Sequence, residues 1–247
     1  CEDRAGTTGE QDGGGFARYV AVDAGRLVRL PEGLSPRTAA LAEPLAVALH
    51  AVTRAELSPG DTVMVFGAGP IGALAVAALV ADGRYPVTVV EPNEGRRQLA
   101  LGIGAVAAVD PEVLERYEPW EPERSSPHAV DAVLECSGKR AAIETAVHQL
   151  RRGGRLVLVG VGMEQPRFDP NRLLLNELEI RGAFVYDADG FERALNLLAS
   201  GAIPVAQLVE PDVPLHRLPE ALADLAAGKI AGKVMVVPRP GPEAVSG

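Results

Sequence analysis

The sequence predicts an α/β protein built on a doubly wound parallel sheet, and three observations predict it. Short β-branched runs alternate with helix-favouring stretches from residue 61 to about residue 185. A glycine cluster, "FGAGPIG", joins the first of these runs directly to the first helix. The second run closes on an acidic residue, Glu91.

The elements follow in order. Residues 16–30, "FARYVAVDAGRLVRL", alternate partly apolar with polar and end on Pro31, Glu32 and Gly33. That pattern predicts a short strand pair closed by a turn, the β-rich edge of something larger. From Ser35 the composition changes to "SPRTAALAEPLAVALHAVTRAEL", which is alanine-rich and helix-favouring, with Pro59 and Gly60 as its stop. Strands are then expected at "TVMVF", "VTVVE", "AAV", "AVLE", "RLVLVGV" and "LEIRGAFVY", with helices between them from Pro70, through Arg97 and through Leu150. Strands spaced by helices imply parallel βαβ units with right-handed crossovers and a sheet covered on both faces. The connection "PEVLERYEPWEPERSSP" carries four prolines and many charges, so it is expected to be a surface loop. Beyond the sheet, Phe191, Ala194, Leu195 and Leu198 fall at helical spacing before Gly201, and Leu218, Leu222 and Leu225 repeat the pattern before Gly228. Residues 238–247 have nothing to bury and are expected to be a disordered tail.

Composition narrows the function. With 47% hydrophobic and 23% charged residues in 247, a folded globular core is expected. A net charge of −9 argues against nucleic acid and against an anionic membrane surface, since either would be repelled. A small-molecule ligand is expected instead. The two cysteines, Cys1 and Cys136, are too few for a disulfide framework and fit a reducing compartment, taken as the cytoplasm. The longest apolar run, around 71–81, is interrupted by Gly72 and reads as a packed helix rather than a membrane span.

The chemical signal lies in "TVMVFGAGPIGALAVAALV", where Gly67, Gly69 and Gly72 make G-x-G-x-x-G between a strand and a helix. The first glycine permits a tight turn, the second lets backbone approach a pyrophosphate, and the third lets helix and strand pack closely. Pro70 suits the first helical turn, and with Ile71 it opens the helix whose free N–H groups and dipole would face the phosphates. No P-loop Gly-Lys-Ser/Thr follows. Glu91 stands 19 residues after Gly72, close to the spacing expected of the acid that binds the adenosine ribose hydroxyls. A 2′-phosphate would face that carboxylate, so NAD is preferred to NADP. Arg96 and Arg97 are the counter-argument, because a guanidinium there can accept a 2′-phosphate or stack on adenine.

The stretches "GGGFARYV", "LVRLPEGLS", "AALAEPLAVALHAV", "GAGPIG", "LECSG", "RRGGRLVLVGV", "NELEIRGAF" and "GKVMVVP" occur in an order that resembles the C-terminal two-thirds of the zinc-containing medium-chain dehydrogenase/reductases, the alcohol, sorbitol and butanediol dehydrogenase group. The resemblance implies a Rossmann domain at 45–185, a remnant of a GroES-like catalytic domain at 1–44, and a segment at 186–237 returning to that catalytic domain. It also implies a missing upstream lobe, so that the chain is expected to be a fragment that is inactive alone. Cys1 would be the last ligand of a structural zinc completed by that lobe. Glu43, in "EPL", would lie beside the catalytic zinc, whose main ligands are also upstream, and near the substrate. Val159, Gly160 and Val161, and likewise Ala183, Phe184 and Val185, would hold the nicotinamide by backbone contacts.

In sorbitol dehydrogenases an arginine and a tyrosine follow the phenylalanine and touch the polyol. This chain keeps Tyr186 but carries Val185 in the arginine's place, which weakens the polyol assignment. The implied activity is NAD- and zinc-dependent oxidation of a secondary alcohol, or reduction of the ketone, by a homodimer or homotetramer. A zinc-free quinone or enoyl reductase of the same superfamily and a non-catalytic dinucleotide-binding module are the alternatives. Cys136 reads as a packing cysteine rather than a reactive one.

Overall fold

A computed structural model describes residues 14–116, 121 and 123–238. In chain order its elements begin with helices α1 (Pro36–Ala39) and α2 (Ala42–Arg54). Then come strand β1 (Val63–Phe66), α3 (Pro70–Asp82), β2 (Val87–Val90), α4 (Glu94–Gly102), β3 (Ala107–Val109) and β4 (Val130–Glu135). Helix α5 (Arg140–Ala146), strand β5 (Leu150–Leu158), α6 (Pro170–Asn176) and β6 (Glu179–Gly182) complete the main sheet. Helices α7 (Gly190–Ala199) and α8 (Val205–Leu208), strand β7 (Val213–Pro214), α9 (Leu218–Ala226) and β8 (Val236–Val237) follow.

By packing, the described residues of Leu30–Leu208 form one compact unit, and the described residues before Leu30 and after Leu208 form a second. The first contains the six-stranded sheet, in the order β3-β2-β1-β4-β5-β6, and every pairing in it is parallel. Strand order reverses between β1 and β4, and ligands of such sheets bind outside the carboxyl ends of the strands at that switch point.

Both faces of the sheet are covered, as the near-continuous apolar strands require. Met64, Phe66, Val133 and Leu156 face a cluster with Ile143, Ala146 and Val147 from the α5 side. Their alternates Val63, Val65, Leu134 and Val157 are equally buried toward the opposite face, where α2 packs on α3 and on α7. Helix α3 buries eight consecutive residues from Gly72 to Leu79 and has no polar side. Its ends follow the sequence: Pro70 opens it, and Gly83 closes it in the left-handed region at φ 76°. The side chain of Asn93 caps α4 by accepting the N–H of Arg96 at 3.0 Å.

The second unit is smaller, with β7 and β8 paired in parallel beside α9. Here the structure departs from the sequence reading. Residues 16–30, expected as a strand pair, contain only the short 3₁₀ turn Ala24–Arg26, capped by the carboxylate of Asp23. Phe16, Tyr19 and Leu27 in this stretch are exposed. Alternation predicts a strand only where a partner strand and a core face exist, and neither is met there among the described residues. The proline-rich connection begins with a 3₁₀ turn, Pro111–Val113; residues 117–120 and 122 lie outside the described residues, as do Cys1 and the expected tail from 239. No helix among the described residues is long and apolar enough to cross a membrane.

Candidate dinucleotide-binding site

Strand β1 ends at Phe66, and the chain turns at Gly67, whose φ of 86° excludes most side chains. The Gly67 N–H donates to Val90 O at 2.8 Å, which fixes the turn over the end of β2. A Cβ on Gly72 would lie 1.9 Å from Gly67 O, so the helix sits on the turn as closely as a glycine allows. Gly69 differs, because a Cβ there would meet nothing within 4 Å. It is the N-cap of α3, and no side chain caps that first turn. Open space in front of an uncapped helix start is what a pyrophosphate requires.

Glu91 follows β2 and is 4% exposed. Its Oε2 accepts the Ala68 N–H at 2.8 Å and its Oε1 the Asn93 N–H at 2.9 Å. The acid is thereby anchored to the glycine turn while each oxygen retains acceptor capacity for a ribose hydroxyl. The two arginines after it separate in role. Arg97 donates to Glu91 O and Pro92 O, both at 2.7 Å, and to Asp110 Oδ2 at 3.0 Å. Arg96 instead lines a cavity of about 410 Å³. Gly67, Gly69, Glu91 and Pro92 form one wall of it, and Arg116, Ser137 and Lys139 stand among the lining residues from beyond β3 and β4. That volume suits the adenosine half of a dinucleotide.

The carboxyl end of β4 carries a second carboxyl group. Glu135 is fully buried; burial pushes its carboxyl above the usual carboxylate range, while hydrogen bonds from Ser137 and Gly138 pull the other way. Burial also pushes the Cys136 thiol up, as expected of a packing cysteine, although it borders the cavity.

Val159, Gly160 and Val161 follow the end of β5, and Ala183, Phe184 and Val185 follow β6, at adjoining strand ends in the register Leu158 to Gly182. Val161 and Phe184 are exposed and Ala183 is buried. Val185 adopts φ 60°, an uncommon conformation for a β-branched residue and one that costs about 1–3 kcal/mol. Tyr186 packs on Phe191, with ring centroids 6.3 Å apart. Glu43 stands exposed in the first turn of α2. Among the described residues no group of three or more His, Cys, Asp or Glu side chains is placed to hold a metal ion. The structure thus brings together Gly67, Gly69, Glu91 and Arg96 with Pro70, Ile71 and Gly72 at one strand-turn-helix, and keeps the candidates after β5 and β6 as a second group.

Sequence reasoning missed Arg116, Lys139 and Glu135. Lys139 and Glu135 had a signal, since they flank the end of a strand at the switch point; Arg116 lies in the aperiodic connection and had none.

A family model described as zinc-binding dehydrogenase matches residues 70–200, more than half of the chain. D-xylulose reductase A of Aspergillus oryzae is 34% identical over 232 residues, 93% of this chain and 65% of that protein. Acetophenone reductase of Geotrichum candidum, solved in complex with NAD, superposes with a TM-score of 0.81 at 25% identity, over 96% of this chain and 65% of the other. A structure from Sinorhizobium meliloti 1021 bound to NADP superposes with a TM-score of 0.79 at 31% identity, over 91% and 66%. The chain spans slightly less than two thirds of the length of each.

Proposed function

Because this chain belongs to the zinc-binding dehydrogenase family, we propose that it supplies the dinucleotide half of an alcohol or polyol dehydrogenase acting between a secondary alcohol and its ketone. The observation that carries the reading is the open cradle at Gly69, closed on one side by the buried carboxylate of Glu91 and continuous with a cavity of adenosine size.

NAD is the cofactor that this arrangement suits. The α3 N-terminus and the Gly69 backbone would hold the pyrophosphate, Glu91 would accept from the ribose hydroxyls, and the cavity beside Arg96 would take the adenine. A bound nicotinamide supplies the hydride acceptor or donor. Backbone at 159–161 and 183–185 orients the ring, with Phe184 and Val185 giving it an apolar border. The apolar Val185 favours a less hydroxylated substrate over a sugar alcohol.

Zinc has a different standing. Among the described residues no side-chain group fits it. The roles of Glu43 beside a catalytic zinc, of Tyr186 at the substrate and of Cys1 in a structural zinc rest on the resemblance. So do the catalytic-lobe assignment of 1–44 and 186–237 and assembly into a homo-oligomer.

The test is a calorimetric titration of the chain with NADH and NADPH, followed by an assay with acetophenone and D-xylulose, with and without added zinc. Saturable binding of NADH in preference to NADPH supports the cofactor reading, and absence of binding to either defeats it. Turnover by the chain alone without zinc would overturn the assignment of metal chemistry to the whole enzyme.

A further inference from the structure

Glu135 is a carboxylate at the end of an otherwise apolar, central parallel strand, and it is fully buried. An apolar residue would fill that place without the cost of desolvating a charge. What Glu135 provides is hydrogen bonding on two sides. Its Oε1 accepts the Ser137 N–H at 2.9 Å and also the Ser137 hydroxyl, and its Oε2 accepts the Gly138 N–H at 3.1 Å. Its backbone carbonyl accepts the N–H groups of both Val159 and Gly160, each at 2.9 Å.

The held turn touches the rest of the candidate site. Ser137 Cβ would lie 2.9 Å from a Cβ on Gly67, so the serine packs against the glycine turn. The Ser137 hydroxyl also accepts the N–H of Lys139 at 3.1 Å, and Lys139 lines the cavity. Gly138 crosses the chain after β5 backbone to backbone. A Cβ on Gly160 would lie 2.2 Å from Gly138 N, and one on Gly162 would lie 2.1 Å from Gly138 O.

From this geometry we infer that Glu135 is a positioning residue which, without lining the cavity, holds the Ser137 turn in register with both the Gly67 cradle and the backbone at 159–161. The inference deepens the dinucleotide reading and rests on it. Its consequence is coupling: the side chain fixes the 137–138 turn, which packs on Gly67 and on Gly160, so the adenosine-side wall and the nicotinamide-side backbone loosen together when the side chain no longer holds that turn.

Glu135→Gln tests this, because the variant keeps the volume while turning an amide donor toward N–H donors. Two measurements are made on the full chain well below its melting temperature: backbone hydrogen exchange without ligand, and titration with NADH. The expected result is exchange faster by about tenfold or more at 137–139 and at 159–162 together, with β1 and β2 unchanged, and an NADH Kd raised by about tenfold. Unchanged exchange and affinity, or acceleration spread evenly over the sheet as for a general packing role, would overturn it.

If E135Q does not fold, Ser137→Ala carries the test, since it removes only the hydroxyl. Faster exchange at Lys139 with weaker NADH binding at an unchanged melting temperature supports the role, and wild-type affinity overturns it. A wild-type chain that binds no dinucleotide would remove the reading on which the inference rests, and the exchange pattern would still report separately whether Glu135 holds the two segments.

Discussion

The Oε2 of Glu91 accepts the backbone N–H of Ala68 at 2.8 Å, so the acid that ends β2 is tied to the glycine turn that ends β1. One substitution therefore acts on two parts of the candidate site. Glu91→Ala leaves the Ala68 and Asn93 N–H groups without their acceptor and takes away the ribose acceptor. NADH affinity is expected to fall by about tenfold or more. The preference over NADPH is expected to narrow, because the charge opposing a 2′-phosphate is gone while Arg96 stays on the cavity wall. Parallel titrations with the two dinucleotides check this, and unchanged selectivity would sink the ribose assignment.

Gly69 and Gly72 separate ligand binding from folding. Gly69 has φ −65° and open space where a Cβ would go, so Gly69→Ala is expected to keep the melting temperature within a few degrees. The added methyl enters the cradle, and NADH binding falls steeply. Gly72→Ala drives a Cβ to 1.9 Å from Gly67 O and is expected to cost stability as well, on the order of 2–4 kcal/mol. Thermal melts alongside titrations distinguish the two, and equal destabilisation by both would contradict the cradle geometry.

The imidazole of His148 is depressed from 6.5 to about 4, first by burial and then by the nearby charges of Arg172 and Arg116. The unfolded chain takes up this proton as pH falls through 6.5, whereas the folded chain does not until about 4. Stability present above 6.5 is therefore lost progressively across that window. The part due to this ring, which is only half-buried, is expected to be on the order of 1–2 kcal/mol. The urea midpoint of the wild type should fall relative to that of His148→Gln between pH 7 and pH 4, and parallel curves would refute the attribution.

Arg172 is 2% exposed, and its guanidinium donates to the carbonyls of Val147 at 3.1 Å and His148 at 3.4 Å, and to that of Arg124. It closes the end of the helical turn leading into β5 against the connection before β4. Arg172→Met fills much of the volume but strands those acceptors, and a loss of about 2–4 kcal/mol is expected. A lower urea midpoint at constant m-value is the check, and an unchanged midpoint would show that the carbonyls find other partners.

Where local chemistry dictates local geometry, the sequence was legible. The Gly67, Gly69 and Gly72 turn and the acid at Glu91 follow from steric and spacing rules, and the helices carrying Leu195 and Leu222 follow from a 3.6-residue period. Partnership was less legible. Residues 16–30 alternate like a strand, but alternation cannot report whether a neighbouring strand is present. Arg116 and Lys139 reach the cavity from the ends of distant elements, and the pairing of Glu135 with the turn after it depends on the crossing of Gly138 over Gly160. Such contacts are set by tertiary packing, which leaves no periodic trace.

The all-round apolar surface of α3 limits how the cradle can be transplanted. One side of α3 lies on the strands, and α2, which precedes β1 in the chain, covers another. Helix α7, which buries Ala194 and Leu198, in turn packs on α2. An excised piece starting at Asp61 would retain the whole glycine motif and Glu91, yet leave a greasy helix facing water. The portable unit is accordingly wider than its motif: a graft of this nucleotide cradle into another protein has to bring α2 and α7 along, or redesign the outer surface of α3 with polar side chains.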